Sequence, residues 1–544
     1  MARARSARLV VILTAVSAIA GFLPSSTAGP PDPTIGSASA YGLTKNFQLI
    51  GHNNIGKRGM NSPIAVAGRC VYVGDRTYDE PRVNGGIAII DAFNPAHPVQ
   101  VGSIAPVALS TQREMRADTA LGILVVESYS PYIDGALANP GSTTSVNNLK
   151  IYDIHSDCRK PRLVGTYDFG PRAPHEFFLW KDPKRPGRAL AYVTFTIYSP
   201  DLLVIALTNP AKPVLVGAYD LGADQAKKTH DFVDQSGSGY MHSVSVSDDG
   251  NRAYVSGWDY GFYVLNTSAL ADPVVGRFGI ARPVSIGTVD YGHDVHSVVR
   301  VPGRPYAVMG QEDYANAGHG CPFGIMRIAD IRNPGQPTMA GQFAIPENDP
   351  KKCGTKNGTF SAHNQTVFRN VALMSWYAGG LRAIDISNQS RPVEGGVFIP
   401  NPSFTPELRD ERLFFPETCP TGPVDPNRPL PTDTKVGCSS QPRWTGAMWS
   451  YPVVQNGLIY VVDIDLGLFI LRYTGPHADE VARARFVEGN SSPSAYTAAA
   501  TTPTRPASQW RAINAAAANG PVTVRSPYRT ADVRTLAQHG FICL

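Results

Sequence analysis

One phrase recurs along this chain and limits what it can fold into. Leu202–Gly222 reads LLVIALTNPAKPVLVGAYDLG: an apolar, β-branched run, a Thr208–Pro213 turn with two prolines, and a second apolar run ending near glycine. Two such runs around a Pro/Asn cluster specify a β-hairpin. The phrase returns at Gly86–Ile104, Leu149–Tyr167, Gly261–Phe278, Gly324–Phe343 and Leu381–Phe398, and its first half at Leu468–Tyr473. A further pair of strand-like runs precedes each copy. It is clearest in His242–Tyr260, where strands A to D of the unit are expected at 242–247, 252–257, 261–266 and 273–278. The other first pairs are Ser62–Asp75, Met115–Glu127, His175–Thr194, His296–Gly310, His363–Ser375 and Ser450–Val462. About seven units of roughly 45–60 residues, four antiparallel strands each, predict an all-β fold: a seven-bladed β-propeller over residues 45–476.

The seventh unit has no fourth strand where one is due. After Tyr473 comes Thr-Gly-Pro-His instead of a Pro-x-Leu-Val-Gly run. The missing phrase stands at the other end, as Phe47–Gly51, FQLIG. The ring is therefore expected to close by pairing this N-terminal strand with Leu468–Tyr473, covering an edge that would otherwise present unpaired backbone groups.

A length of 544 residues would by itself suggest several domains, but a repeat array is one body. Residues 1–28 have the form of a signal peptide: Arg3, Arg5 and Arg8, the apolar Leu9–Ala20, then small residues at Ser26–Ala28. The apolar run is shorter than the roughly 18 residues of a membrane span, and no later segment reaches that length. The chain is expected to be secreted, extracellular or in the cell envelope, with no transmembrane segment. Residues 29–44 read as a Pro/Ser/Gly linker, and 477–544 as a low-complexity, mostly disordered tail. A net charge of +5 without a dense Lys/Arg stripe argues against nucleic acid as a partner. A monomer is expected.

The C–D phrase resembles the LVIVD-repeat family, named for its strand-C consensus; Leu381–Pro392, LRAIDISNQSRP, is the best match. Segments such as HEFFLW at 175–180, AHNQTV at 362–367 and LRYTGP at 471–476 look like a secreted bacterial branch. The resemblance implies a propeller and no particular chemistry.

Four consecutive units place a histidine at the start of strand A: His175, His242, His296 and His363, spaced by 67, 54 and 67 residues. The equivalent positions elsewhere hold Asn61, Glu114 and Trp449. One position per blade at fixed register converges on the central axis, so the four histidines are candidate ligands for a divalent transition metal, Zn, Fe or Cu. The arrangement, though not the sequence, is similar to the four-histidine iron site of carotenoid-cleaving oxygenases. Hydrogen-bonded lining of a wet channel is the alternative. Glu114, Glu176, His293, Asp294, Asp259, Glu312, Trp376 and Trp449 fall near the same face and could orient ligands or bind substrate. Signatures of zinc peptidases, serine hydrolases and P-loop enzymes are absent.

Seven cysteines in an exported chain suggest three bridges and one thiol left over. Blade topology proposes Cys70–Cys158, Cys321–Cys353 and Cys419–Cys438. The long insertions, Tyr129–Asn148, Gln311–Phe323, Pro346–Phe360 and Pro400–Arg443, fall on one face. Long loops on one face of a rigid scaffold are where binding usually sits. Two functions follow: an exported binding protein that takes a protein, glycan or small-molecule ligand on its loop-rich face, or a metal-dependent oxidoreductase or hydrolase with a His-lined axial site.

Overall fold

The computed structural model describes residues 41–76, 85–107, 110–130, 146–195, 198–221, 223, 241–258, 260–272, 279–289, 294–313, 322–349, 360–400, 448–489, 505, 507–518 and 520–528. Seven antiparallel sheets form a seven-bladed propeller. Blade 1 is Asn61–Ala67, Cys70–Asp75, Ile87–Asp91 and Val99–Ile104. Blade 2 is Thr111–Asp118, Ile123–Tyr129, Asn148–Asp153 and Arg162–Asp168. Blade 3 is Phe177–Lys181, Ala189–Thr194, Leu202–Ala206 and Val214–Tyr219. Blade 4 is Ser243–Val246, Arg252–Ser256, Phe262–Asn266 and Val284–Val289. Blade 5 is Val295–Arg300, Tyr306–Gln311, Met326–Asp330 and Thr338–Phe343. Blade 6 is Gln365–Val367, Val371–Ser375, Leu381–Asp385 and Val393–Pro400. Blade 7 is Val453–Gln455, Leu458–Asp463 and Gly467–Tyr473, completed by Phe47–Asn53.

Each strand alternates its apolar residues between two neighbouring blades, so the core lies between blades. Seven apolar clusters result among the described residues, one at each interface. The outer edge is set by glycine. In all seven D strands a bulge immediately precedes a glycine: Gly51, Gly102, Gly165, Gly217, Gly287, Gly341 and Gly396. The next blade's C–D turn packs directly on most of these glycines. A Cβ at Gly51, Gly165, Gly287 or Gly341 would lie 2.0, 2.2, 2.1 or 2.1 Å from the carbonyl oxygen of Pro95, Pro210, Pro334 or Gln389. No side chain fits at such distances, which explains both halves of the repeated phrase.

The N-terminal strand closes the ring as expected, with Phe47 opposite Tyr473 and Asn53 opposite Leu468. The two ends are also tied near the axis. Asn61 N–H and its Nδ2 both donate to Ile464 O, at 2.8 and 3.0 Å, and Gly68 and Gln455 exchange two hydrogen bonds. Cys70 and Cys158 form a disulfide between blades 1 and 2, with Cα atoms 6.0 Å apart. The pairs Cys321–Cys353 and Cys419–Cys438 lie outside the described residues, as do residues 1–40.

Three boundaries need correction. The fourth strand of blade 4 among the described residues is Val284–Val289, while the expected 273–278 lies outside them; a short helix, Ser268–Ala271, follows strand C, and its Leu270 packs on Gly217 of blade 3. The linker ends earlier than residue 44: Tyr41–Lys45 adds a fifth strand to blade 6. The reading of 477–544 as a tail outside the fold fails for its described residues. The helix Ala478–Arg483 docks through Glu480, which accepts from the Asn370 N–H and Nδ2 at 3.0 and 2.7 Å. Phe486–Glu488 then pairs with Val453–Gln455, on the axial side of blade 7's innermost strand. Phe486 faces Lys181, and Glu488 faces Arg116, Lys181 and Asp118, so this strand lies in the channel between blades 7, 2 and 3. Farther on, Arg505 donates to Leu121 O, Gly187 O and Leu207 O, the helix Ala507–Ala516 buries Trp510, and Val522–Arg525 runs parallel to the outer strand of blade 2.

Two predictions follow from these edges. A chain beginning at residue 55 should melt far below the full chain, and Gly51→Ala should lower stability by about 1–3 kcal/mol through overpacking against Pro95; unchanged thermal melts would show that this strand does not close the ring. Glu488 concerns pH. Burial pushes its carboxyl up from 4.5 to about 8, against the pull of Arg116 and Lys181. The folded state then holds this proton more tightly than the unfolded one, so its contribution is full below pH 4.5 and is lost as pH rises through about 8. Glu488→Gln should flatten the fall in urea midpoint across that window, and an identical slope in the variant would refute the assignment.

Candidate metal centre at the propeller axis

The site is built from the first residues of the inner strands. His175, His242 and His363 stand just before strand A of blades 3, 4 and 6, and His296 is the second residue of blade 5's. Hydroxyls fix their backbones. Thr194 Oγ1 donates to His242 O at 2.8 Å, and Ser256 Oγ donates to His296 O at 2.7 Å, each from the end of the preceding blade's strand B. In blade 5 the matching position is Gly310, where a Cβ would lie 2.3 Å from His363 O; Ser297, directly across the ladder, supplies the hydroxyl instead, at 3.0 Å. The four rings form a continuous arc, with centroids 4.1, 4.0 and 3.8 Å apart in chain order, and all are buried.

Each imidazole has a different set of neighbours. His175 Nε2 accepts from Arg113 Nη2 at 2.6 Å and lies 2.7 Å from His242 Nε2. A lone pair given to a guanidinium is not available to an ion. His363 Nδ1 donates to Trp449 O at 2.5 Å, which turns the other nitrogen's lone pair toward Glu312 Oε1 at 3.0 Å. Two lone pairs cannot face each other at that distance without a shared proton or cation between them. His296 is fully buried, and neither of its ring nitrogens makes a hydrogen bond. Its Nε2 stands 3.5 Å from Glu312 Oε2 and 3.7 Å from Glu176 Oε1.

Two three-ligand sets result, Glu176–His242–His296 and His296–Glu312–His363, each with ligand atoms within 4.8 Å of one another. Both are two histidines and a carboxylate, a donor set suited to Zn or Fe. Ligand atoms about 3.4 Å apart are what tetrahedral bonds of about 2.1 Å require. Burial holds His175, His242 and His296 well below the ordinary histidine range, helped by Arg113 and by neighbouring histidines. They are neutral at neutral pH, which is the ligating form. Burial and the Glu114 carboxylate raise Glu176. Tyrosines also hold the carboxylates: Tyr377 donates to Glu312 Oε1, and Tyr451 donates to Glu176 Oε2 at 3.2 Å.

The remaining expected residues divide by position. Trp449 shares the wall with His363, ring centroids 6.1 Å apart. Glu114 lies on the axial strand of blade 2, bonded to Arg116 at 2.5 Å. Asp294 contributes its carbonyl, which accepts from Glu312 N–H at 2.8 Å. Trp376 is not at the axis: its indole donates to Phe360 O between blades 5 and 6. Its neighbour Tyr377 takes the place at the site. Asp259 and His293 lie outside the described residues. Sequence reasoning missed Arg76, Arg113, Tyr377 and Tyr451. Trp258 and Tyr377 each follow a strand-B serine by two residues and share a left-handed backbone, φ 48° and 44°, which turns the ring inward over a histidine. That spacing, Ser256 to Trp258 and Ser375 to Tyr377, was the available signal.

No curated protein matches the chain. The LVIVD repeat model matches residues 58–105, which span blade 1, and residues 376–398, which span the C–D hairpin of blade 6. Each segment includes a C–D turn whose carbonyl packs on the preceding blade's glycine, Pro95 on Gly51 and Gln389 on Gly341, and the chain is a seven-bladed β-propeller in which these two segments match the LVIVD repeat.

Proposed function

We propose that the axial cluster is a transition-metal centre and that the protein is an exported metal-dependent enzyme, an oxidoreductase or hydrolase. The observation that carries this reading is His296: a fully buried imidazole with no hydrogen bond, set between two carboxylates and two further histidines. Buried polar groups without partners are rare, and an ion is one of the few things that explain them. A bound metal would polarise a substrate oxygen or lower the pKa of a water. Tyr377 and Tyr451 would fix the carboxylates, and the Nδ1–H bond to Trp449 O would fix the ring of His363. The single disulfide among the described residues fits an oxidising compartment, and no described helix is long and apolar enough to cross a membrane. The reading as a binding protein rests on the long loops of one face, most of which lie outside the described residues.

Metal analysis of the purified protein tests this. Zinc, iron or copper should be present near one ion per chain. His296→Ala, which removes the residue common to both ligand sets, should abolish binding, whereas His175→Ala should retain it. Tyr377→Phe should weaken affinity about 10–100-fold, as loss of an orienting hydrogen bond does. Background metal in the folded wild type, or full occupancy in folded His296→Ala, would refute the assignment.

A further inference from the structure

Arg76 is a buried charge near the axis that the metal reading leaves unused. It follows strand B of blade 1 and its N–H donates to Met60 O at 3.0 Å, so it sits where that blade opens on the loop-bearing face. It is 6% exposed. Its guanidinium lies 4.6 Å over the Trp449 ring, and Nη2 is 3.4 Å from Tyr129 Oη. No described carboxylate pairs with it. The charged group that acts on it most strongly has the same sign: Arg113, bonded to His175. Burial and that repulsion lower its pKa, and both guanidiniums also act on His175.

A buried cation without a counter-charge costs several kcal/mol, and native proteins pair such groups or reserve them for a ligand. Three of the carboxylates here are taken up elsewhere, and burial with the neighbouring Glu114 charge holds a fourth, Glu127, well above the ordinary carboxylate range. Glu312 is held by Tyr377 and His363, Glu176 by Tyr451, and Glu114 by Arg116. Trp449 joins the two regions, since its ring carries Arg76 and its carbonyl holds His363. An anion on Arg76 would therefore lie beside the histidine arc, against the aromatic wall of Trp449 and Tyr377, whose rings are 6.1 Å apart.

We propose that the ligand of the axial site is a small oxyanion, seated by the Arg76 guanidinium beside Arg113 and directed toward His296. A guanidinium fork matches a planar carboxylate or two oxygens of a tetrahedral anion, so the class is a small organic acid or a sulfate- or phosphate-type ion. The seat stands on Arg76 alone; calling its occupant a substrate rests on the metal reading.

Calorimetric titration of the full chain with benzoate and with sulfate, before and after chelator treatment, tests the seat apart from the metal. At least one anion should bind saturably, one per chain, to the chelator-treated protein. Benzoate without sulfate identifies a carboxylate site, and sulfate without benzoate a tetrahedral one. Arg76→Gln should weaken binding about tenfold or more, the loss expected for a charged hydrogen bond. Arg76→Lys keeps the charge but not the fork; it should fold where Gln does not, and bind several-fold more weakly. Absence of saturable binding by either anion to the wild type, or wild-type affinity in a folded Arg76 variant, overturns the proposal. Anion binding in a protein that holds no metal would leave the seat standing and remove the metalloenzyme reading.

Discussion

A turn carbonyl pressed against a glycine organises this molecule. Each D strand bulges just before its glycine, and at Gly51, Gly165, Gly217, Gly287 and Gly341 the following blade's C–D turn fits into the space a side chain would take. The contact is made between blades, so it sets their spacing and inclination. Van der Waals packing falls off steeply with separation, and a gap of even 1 Å would forfeit much of it. The seven apolar clusters can only be dense if the outer contacts hold the blades at that distance. The interface between blades 1 and 2 is the loosest: a Cβ at Gly102 would still be 3.9 Å from Arg159 O. That same interface carries the Cys70–Cys158 bridge. Covalent linkage and close packing thus stand in for one another around the ring.

The same geometry makes the axial site. A blade is rigid, and its innermost strand starts at a fixed height, so one residue per repeat becomes one position on a circle. Four histidines at that register must converge, with no loop needed to aim them. The strand-B hydroxyls of Thr194 and Ser256 then fix the carbonyls of the next histidines, so each blade positions its neighbour's ligand. Sites on strands held this way are placed more accurately than sites on loops.

The repeat explains what was legible in the sequence. Blade number, closure by Phe47–Gly51, the Cys70–Cys158 bridge and the convergence of the histidines all depend on register, which spacing reveals. What failed depended on local exceptions. Strand D of blade 4 lies farther along the chain than the repeat suggests, after a helix at a connection that elsewhere is a short turn. His175 carries the right register but bonds Arg113, and no spacing shows which neighbour an imidazole will meet. Trp376 and Tyr377 are adjacent and both aromatic; only the left-handed backbone at Tyr377 decides which one faces the axis. Beyond residue 477 composition was misleading, because Phe486–Glu488 and Trp510 are few residues amid many small ones, yet they are the ones that dock.

The closing strand also sets an order of events. Residues 47–53 reach the ribosome's exit, or the far side of a membrane, more than 400 residues before their partners at 467–473. Until then the first blade's neighbour is missing and the N-terminal strand has an open edge. Local hairpins can form at once, but the longest loop in the molecule closes last, with the entropy cost and slow kinetics of distant contacts. The segment 486–488 follows only 13 residues after the ring's final strand, and it lies inside the channel that closure creates. The circle and its inner strand are thus completed in one late step, and a molecule interrupted before it exposes both at once.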